Sequence, residues 1–190
     1  MKNKSAIASQ KGFTILELMV SIAIFSVVCV SILELVSISS KSNEKNEKTN
    51  MATDFASEAI EVVTYMRDNN FLNNRTYTSG ILKSDTTFIV LFNSVNDTWD
   101  LNFGNDNNSE TITSCSTSTN NSCAVYLDKT NNSYTQSRTT PTLDFVNTGF
   151  YRLVKVQPFP GYIKIISSVL WKESGVDKII SLEKNLWDWK

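Results

Sequence analysis

The sequence contains no histidine. That removes the commonest general base, the commonest metal ligand and every Ser-His or Cys-His nucleophile. Glycine and proline are scarce, six and three in 190 residues, and neither occurs between Phe13 and Ser79. No Gly-rich phosphate loop is present, and nothing local interrupts a helix over that long stretch. Basic charge is also short. Lys2, Lys4 and Lys11 precede the first apolar run, leaving 15 of the 18 basic residues against all 19 acidic ones after Gly12. No basic field remains to hold nucleic acid by its phosphates, so nucleic acid is a disfavoured partner. Cysteine occurs three times. Cys29 lies in the apolar run, and Cys115 and Cys123 form a C-x7-C pair in an Asn/Ser/Thr-rich stretch. Two cysteines are too few for a zinc site without help. In an exported chain the pair reads as a short-loop disulfide, with two free thiols as the other reading. Closing so small a loop stabilises by roughly 2 to 3 kcal/mol.

What is abundant is apolar length near the N-terminus. Residues 1–12, MKNKSAIASQKG, hold three lysines and no acid. Residues 13–36, FTILELMVSIAIFSVVCVSILELV, follow, with 16 uncharged residues between Glu17 and Glu34. As a helix this run is about 36 Å long, enough for a hydrocarbon layer of roughly 30 Å. The preceding lysines put the N-terminus on the cytoplasmic side and residues after about 37 outside. An ordinary signal peptide would need a shorter run and an Ala-x-Ala site. A plain anchor explains the length and the lysines but not Glu17, since a charge near the centre of a span costs about 2.5 to 3.5 kcal/mol. A buried helix of a soluble protein does not suit a run that is apolar on all faces.

The string Lys11-Gly12-Phe13-Thr14-Ile15-Leu16-Glu17 resembles the processing site of type IV prepilins and type II secretion pseudopilins. The resemblance consists of a short basic leader, a glycine before the cut, a phenylalanine after it and a glutamate four residues further on. It covers residues 11 to about 36. It implies cleavage between Gly12 and Phe13, N-methylation of the Phe13 amine, and retention of the apolar helix after removal of a 1–12 leader. It implies that Glu17 pairs with the amine of a neighbouring subunit during assembly. A carboxylate one turn into an apolar bundle is unfavourable unless paired, and a methylated amine keeps the charge that pairing needs. The implied partners are other pilin subunits, a prepilin peptidase/methyltransferase and an assembly platform in the cytoplasmic membrane. The helix-breaking proline of many major pilins is missing here. Glu34 is expected at the outer interface.

Beyond the run, residues 37–50 are polar on all sides, with Glu44 and Lys48 at i,i+4. Helix is expected to continue or resume there, bending most easily in this stretch. Met51, Phe55, Ala59, Val62 and Met66 then form an apolar stripe at helical period. A helical segment 37–67 that docks on a head is expected. Strands are expected at 86–92, 98–103, 124–127, 150–157, 163–171 and 178–182, with turns at Pro158–Gly161 and around Gly175. A long helix followed by strands argues α+β with an antiparallel sheet, and the resemblance implies a pilin-like head over 68–190. Residues 102–132 read as a polar surface loop pinned by Cys115 and Cys123.

The acidic stretch Asp100–Asp106 departs from a calcium loop because Gly104 falls where an oxygen ligand belongs, and no metal or other cofactor is expected. Val169, Trp171, Glu173 and Gly175, followed by Ile180, Leu182, Leu186 and Trp189, resemble the tail of minor pilins and minor pseudopilins. The leading expectation is a structural subunit, a minor pilin or pseudopilin, rather than an enzyme. It is held in the cytoplasmic membrane by a single pass and then enters an extracellular or periplasmic filament. The alternatives are a filament-tip binding or adhesion module, or a pseudopilin of a type II secretion system.

Overall fold

The computed structural model describes residues 14–82, 87–93, 98–103, 111–117, 123–136 and 144–188. The first element is a single helix, α1, spanning Ile15–Leu72. It runs through the polar stretch 37–50 without a break, as a sequence free of glycine and proline permits. The chain divides into two compact units, 1–46 and 47–190, with the division inside α1.

In the first unit the apolar helix is exposed all round, from Ile15 to Ile38. Its serines do not interrupt it. Ser21, Ser26 and Ser31 turn their hydroxyls onto the carbonyls of Glu17, Ile22 and Val27 at 2.8, 2.7 and 2.9 Å. Such back-bonding satisfies a hydroxyl within the helix's own backbone.

The second unit is the head. The end of α1 lies at Leu72, beyond the expected 67, because the chain has a stop signal only there. Asn74 takes a left-handed φ of 53°. The amides of Arg75 and Asn74 donate to the carbonyls of Asn70 and Phe71 at 2.8 and 3.1 Å. This is the Schellman closure, with asparagine in the usual place of glycine. The Asn70 side chain, itself buried, donates to the Ser79 carbonyl at 2.7 Å and ties the following turn to the helix end.

Among the described residues seven antiparallel strands follow: β1 Thr87–Asn93, β2 Thr98–Phe103, β3 Ala124–Asp128, β4 Ser133–Gln136, β5 Phe145–Phe159, β6 Tyr162–Glu173 and β7 Val176–Trp187. A short helix, α2 Ile112–Thr117, lies between β2 and β3. β5 organises the sheet. One edge pairs with β6 from Phe150 to Phe159, and β7 continues from β6. Its other edge is divided, with Phe145–Asn147 and Tyr151 pairing to β3 and Val154–Lys155 pairing to β1. Two-residue turns set the long registers. Pro160–Gly161, with Gly161 at φ 81°, joins β5 to β6 as a type II turn, and Ser174–Gly175, at φ 51° and 80°, joins β6 to β7 as a type I′ turn. Pro158, expected as part of a turn, lies inside β5 opposite Ile163.

Both faces of the sheet are covered. On one, Ala59, Val63, Phe88, Val154, Ile163 and Ile165 form the main cluster, and Phe55, Phe150 and Trp171 a second. Both clusters draw on the expected α1 stripe, with Phe55, Ala59 and Val62 buried. On the other, Ile89, Leu153 and Leu170 pack with Ile112, Cys115 and Cys123.

The largest fully buried side chain is a charged one, Arg152, only 1% exposed. The sequence places it in an imperfect alternating strand with no sign of burial. Its guanidinium donates to the Phe55 carbonyl (3.1 Å) and the Glu58 carboxylate (2.9 Å) on α1. It also donates to the Val90 carbonyl on β1 (3.4 Å) and to Gln136 Oε1 on β4 (2.9 Å). Gln136 in turn donates from Nε2 to the carbonyls of Cys123 (2.9 Å) and Arg152 (2.7 Å), and accepts from the Val90 amide (3.3 Å). The pair sits where β5 passes from one neighbour to the other, and side-chain groups there supply what the strand ladder cannot. Burial lowers the Arg152 pKa from its ordinary value, while Glu58 pushes it back up by charge and hydrogen bond. Arg152→Met should therefore destabilise the head by about 3 to 5 kcal/mol, the cost of orphaning the partners of a buried ion. Urea unfolding of the detergent-solubilised full chain, followed by tryptophan fluorescence, would measure it. A change below about 1 kcal/mol would mean that the network is dispensable.

Candidate assembly site

The start of α1 is built by Thr14. Its Oγ1 accepts the Glu17 amide at 3.3 Å, and its carbonyl accepts the Leu18 amide at 3.1 Å. Thr14 is thus the N-cap and Glu17 the third helical residue, a T-x-x-E capping-box pattern. A carboxylate in the first turn also suits the positive end of the helix. Thr14 was not singled out from the sequence for this role, although T-x-x-E before an apolar run is a legible signal. Glu17 thus has a local reason to sit where it does, besides any partner in another molecule.

Apart from the Thr14 and Ser21 hydroxyls, the residues around Glu17 on the helix are apolar. Ile15, Leu16, Leu18 and Met19 are all exposed, and the helix is long and apolar enough to cross a membrane. No cation lies in ion-pair distance of its carboxylate among the described residues. Gly12 and Phe13, expected to flank the cleavage point, lie outside the described residues. Cys29 is a free, half-buried thiol on the same helix.

Cys115 and Cys123 are joined as a disulfide, with Cα atoms 5.9 Å apart. The setting differs from the expected surface loop. Both cysteines are buried in the apolar cluster on the sheet face opposite α1, next to Ile89, Leu153 and Leu170. Of the expected loop 102–132, the described residues include α2 and the buried strand β3. Ile112 is the apolar residue that betrays α2, standing alone in polar sequence where periodicity has too few turns to register. The helix begins with a reciprocal cap, Ser114 N–H to Thr111 Oγ1 at 3.2 Å and Thr111 N–H to Ser114 Oγ at 3.0 Å.

In the tail, Val169 and Trp171 are buried core residues of β6, Gly175 makes the hairpin turn, and Trp187 is exposed on β7 against Tyr162 at 4.6 Å between centroids. Trp189 lies outside the described residues. Among the described residues no group of three or more potential metal ligands is gathered.

Residues 7–33 match the family model of the prokaryotic N-terminal methylation motif. Neither the curated proteins nor the solved structures compared with the chain give a match. The motif stands at the head of a long helix whose second part packs on an antiparallel sheet, and in both respects the chain is similar to type IV pilin-like proteins. The family that carries the motif is structural rather than catalytic.

Replacing both Cys115 and Cys123 with serine should lower head stability by at least about 2 to 3 kcal/mol, because cavity and burial effects add to the loss of the crosslink. Thermal unfolding with and without reductant would check it, and the reductant should have no effect on the double variant.

Proposed function

We propose that this chain is a structural subunit, of the minor pilin or minor pseudopilin kind, of a type IV pilus-like filament. The observation that carries the reading is one carboxylate, Glu17, in the first turn of α1 and within a methylation motif, followed by 16 uncharged residues up to Glu34 on an exposed apolar stretch. Such a helix is insoluble alone. It suits two surroundings, a lipid bilayer and a bundle of like helices.

In the membrane the leader lysines hold residues 1–12 on the cytoplasmic side, and the head is exported. The prepilin peptidase/methyltransferase cuts between Gly12 and Phe13 and methylates the new amine. Glu17 then reaches the headgroup region, where its charge costs little. On entering the filament it leaves that region, and the positive Phe13 amine of a neighbouring subunit compensates it. Pairing is worth most where water is excluded, so it sets the axial register of one subunit against the next. The apolar side chains pass from one apolar surrounding to another, so they contribute close packing to assembly and not withdrawal from water. The tail pattern from Val169 to Trp189 supports a minor rather than a major subunit. The partners are other pilins and the assembly platform of the cytoplasmic membrane, and the destination is an extracellular or periplasmic filament.

Mass spectrometry of N-terminal peptides from the native membrane should find a chain beginning at N-methylated Phe13. An intact Met1, or a cut after residue 36, would sink the reading. Glu17→Leu should leave membrane insertion and head folding intact while reducing recovery in sheared filaments at least tenfold. Undiminished recovery would remove Glu17 from assembly.

A further inference from the structure

The outer edge of the sheet is open. Strand β7 is hydrogen-bonded to β6 and, among the described residues, to no other strand. It runs for 12 residues, about 40 Å at the usual rise of a strand. Its register with β6 is unbroken from Val176 to Trp187, and it contains no proline. Leu186 is buried, Ile180 and Leu182 are half-buried, and its other side chains are exposed. Folded proteins blunt such an edge with proline, bulges, covering segments or free charges, because its backbone groups pair with other chains. Most charges of β7 are drawn back onto the head instead. Glu183 lies 2.6 Å from Lys164, Asp177 4.0 Å from Lys172, and Lys184 donates to Thr64 Oγ1 at 3.2 Å.

The hairpin turn fixes which backbone groups face outward. A two-residue turn is closed by a hydrogen-bonded pair, here Glu173 and Val176. Alternation then turns the amides and carbonyls of Val176, Lys178 and every second residue onward toward β6. The Asp188 amide, which donates to the Gly161 carbonyl at 2.9 Å, falls in the same phase at the far end. Asp177, Ile179, Ser181, Glu183, Asn185 and Trp187 therefore direct theirs to the open side. Evenly spaced pairs of donor and acceptor along an edge are the template for an extended segment.

A row of rings ends at the same edge. Phe159, Tyr162 and Trp187 cross β5, β6 and β7 with 4.9 and 4.6 Å between centroids, the spacing of the strands themselves. The row stops at Trp187, whose side chain is 54% exposed, and Ile179 stands exposed on the same face. A strand added to β7 would place its own side chain next in that row.

We propose that β7 receives an extended, proline-free strand of a neighbouring subunit other than this chain, which extends the sheet through the outward backbone groups from Asp177 to Trp187 and seats an apolar or aromatic side chain against the Trp187 indole. The contact rests on the filament reading above and adds to it the element by which the head joins its neighbour. A second copy does not suit the edge. Antiparallel pairing of β7 with itself needs a two-fold axis perpendicular to the sheet, which reverses one copy end for end, and two chains anchored from the same side of one membrane cannot meet that way.

The test compares the full chain in native filaments with the same chain in detergent, by amide hydrogen exchange read residue by residue. In detergent the amides of Ile179, Ser181, Glu183 and Asn185 should exchange fast and those of Ile180, Leu182 and Lys184 slowly. In filaments the first set should slow by about a hundredfold and the second should stay as it was. Such alternation marks a strand and not a covering surface. Outward amides that exchange as fast in filaments as in detergent overturn the proposal. In parallel, Asn185→Pro removes one outward donor where an edge strand tolerates proline. It should leave the thermal unfolding of the head nearly unchanged and lower recovery in sheared filaments several-fold, while Asn185→Ala keeps full recovery. Equal recovery of the two variants overturns the contact, and if the proline unfolds the head the exchange measurement decides alone. A photoreactive residue at position 185 that joins only two copies of this chain overturns the choice of partner. Absence of the unsubstituted chain from sheared filaments would sink the filament reading itself, whereas its presence there with unprotected outward amides would sink the contact alone.

Discussion

The head depends on a buried ion. Arg152 lies inside a sheet core and reaches the helix, β1 and β4 at once. Strand β5 is too long for any one neighbour on its inner edge, so β3 takes one part and β1 another. At the handover the Arg152 amide still reaches the Cys123 carbonyl, while the Arg152 carbonyl and the Val90 amide are met by the carboxamide of Gln136, from a four-residue strand. Neither residue is tolerable alone. A guanidinium without acceptors or a carboxamide without donors would carry a desolvation cost that apolar contacts nearby could not offset. Together they bind the strand order and the helix position into one arrangement, because any other register would leave charges unpaired.

The first unit is under the opposite constraint. Its apolar stretch, residues 15–36, has almost no polar side chain to satisfy, and three of its hydroxyls turn inward onto the helix. What it lacks is an environment. A helix apolar on all faces is stable where its surroundings are as apolar as itself, and the single carboxylate near its start resists burial without a counter-charge. Thr14 and Glu17 therefore combine two functions in four residues. They start the helix by local capping, and they place a charge that has no counter-ion among the described residues.

The two sheet faces are allotted differently. One is occupied by α1, the other by α2 and the Cys115–Cys123 pair. The crosslink is thus part of the second core layer. It holds a short helix that could not stay in place through its own few apolar contacts, Ile112 chief among them. Beside α1 the half-buried Glu58 carboxylate coexists with the core because Arg152 neutralises it from beneath.

Much of this was decided by the sequence. The absence of glycine and proline from Phe13 to Ser79 committed that stretch to helix, the stripe from Met51 to Met66 determined which side docks, and alternating β-branched and aromatic runs placed six of the seven strands. The methylation motif was legible because it is contiguous. These are local properties, expressed in neighbouring residues through helix and strand periods. Tertiary structure alone decided the rest. That Arg152 is buried, that Gln136 in a four-residue strand completes its shell, and that the cysteines lie in a core instead of on a surface loop all depend on partners 13 to 97 residues away. No periodicity records such partners, because the energy of a buried polar group is set by what surrounds it and not by its neighbours in sequence.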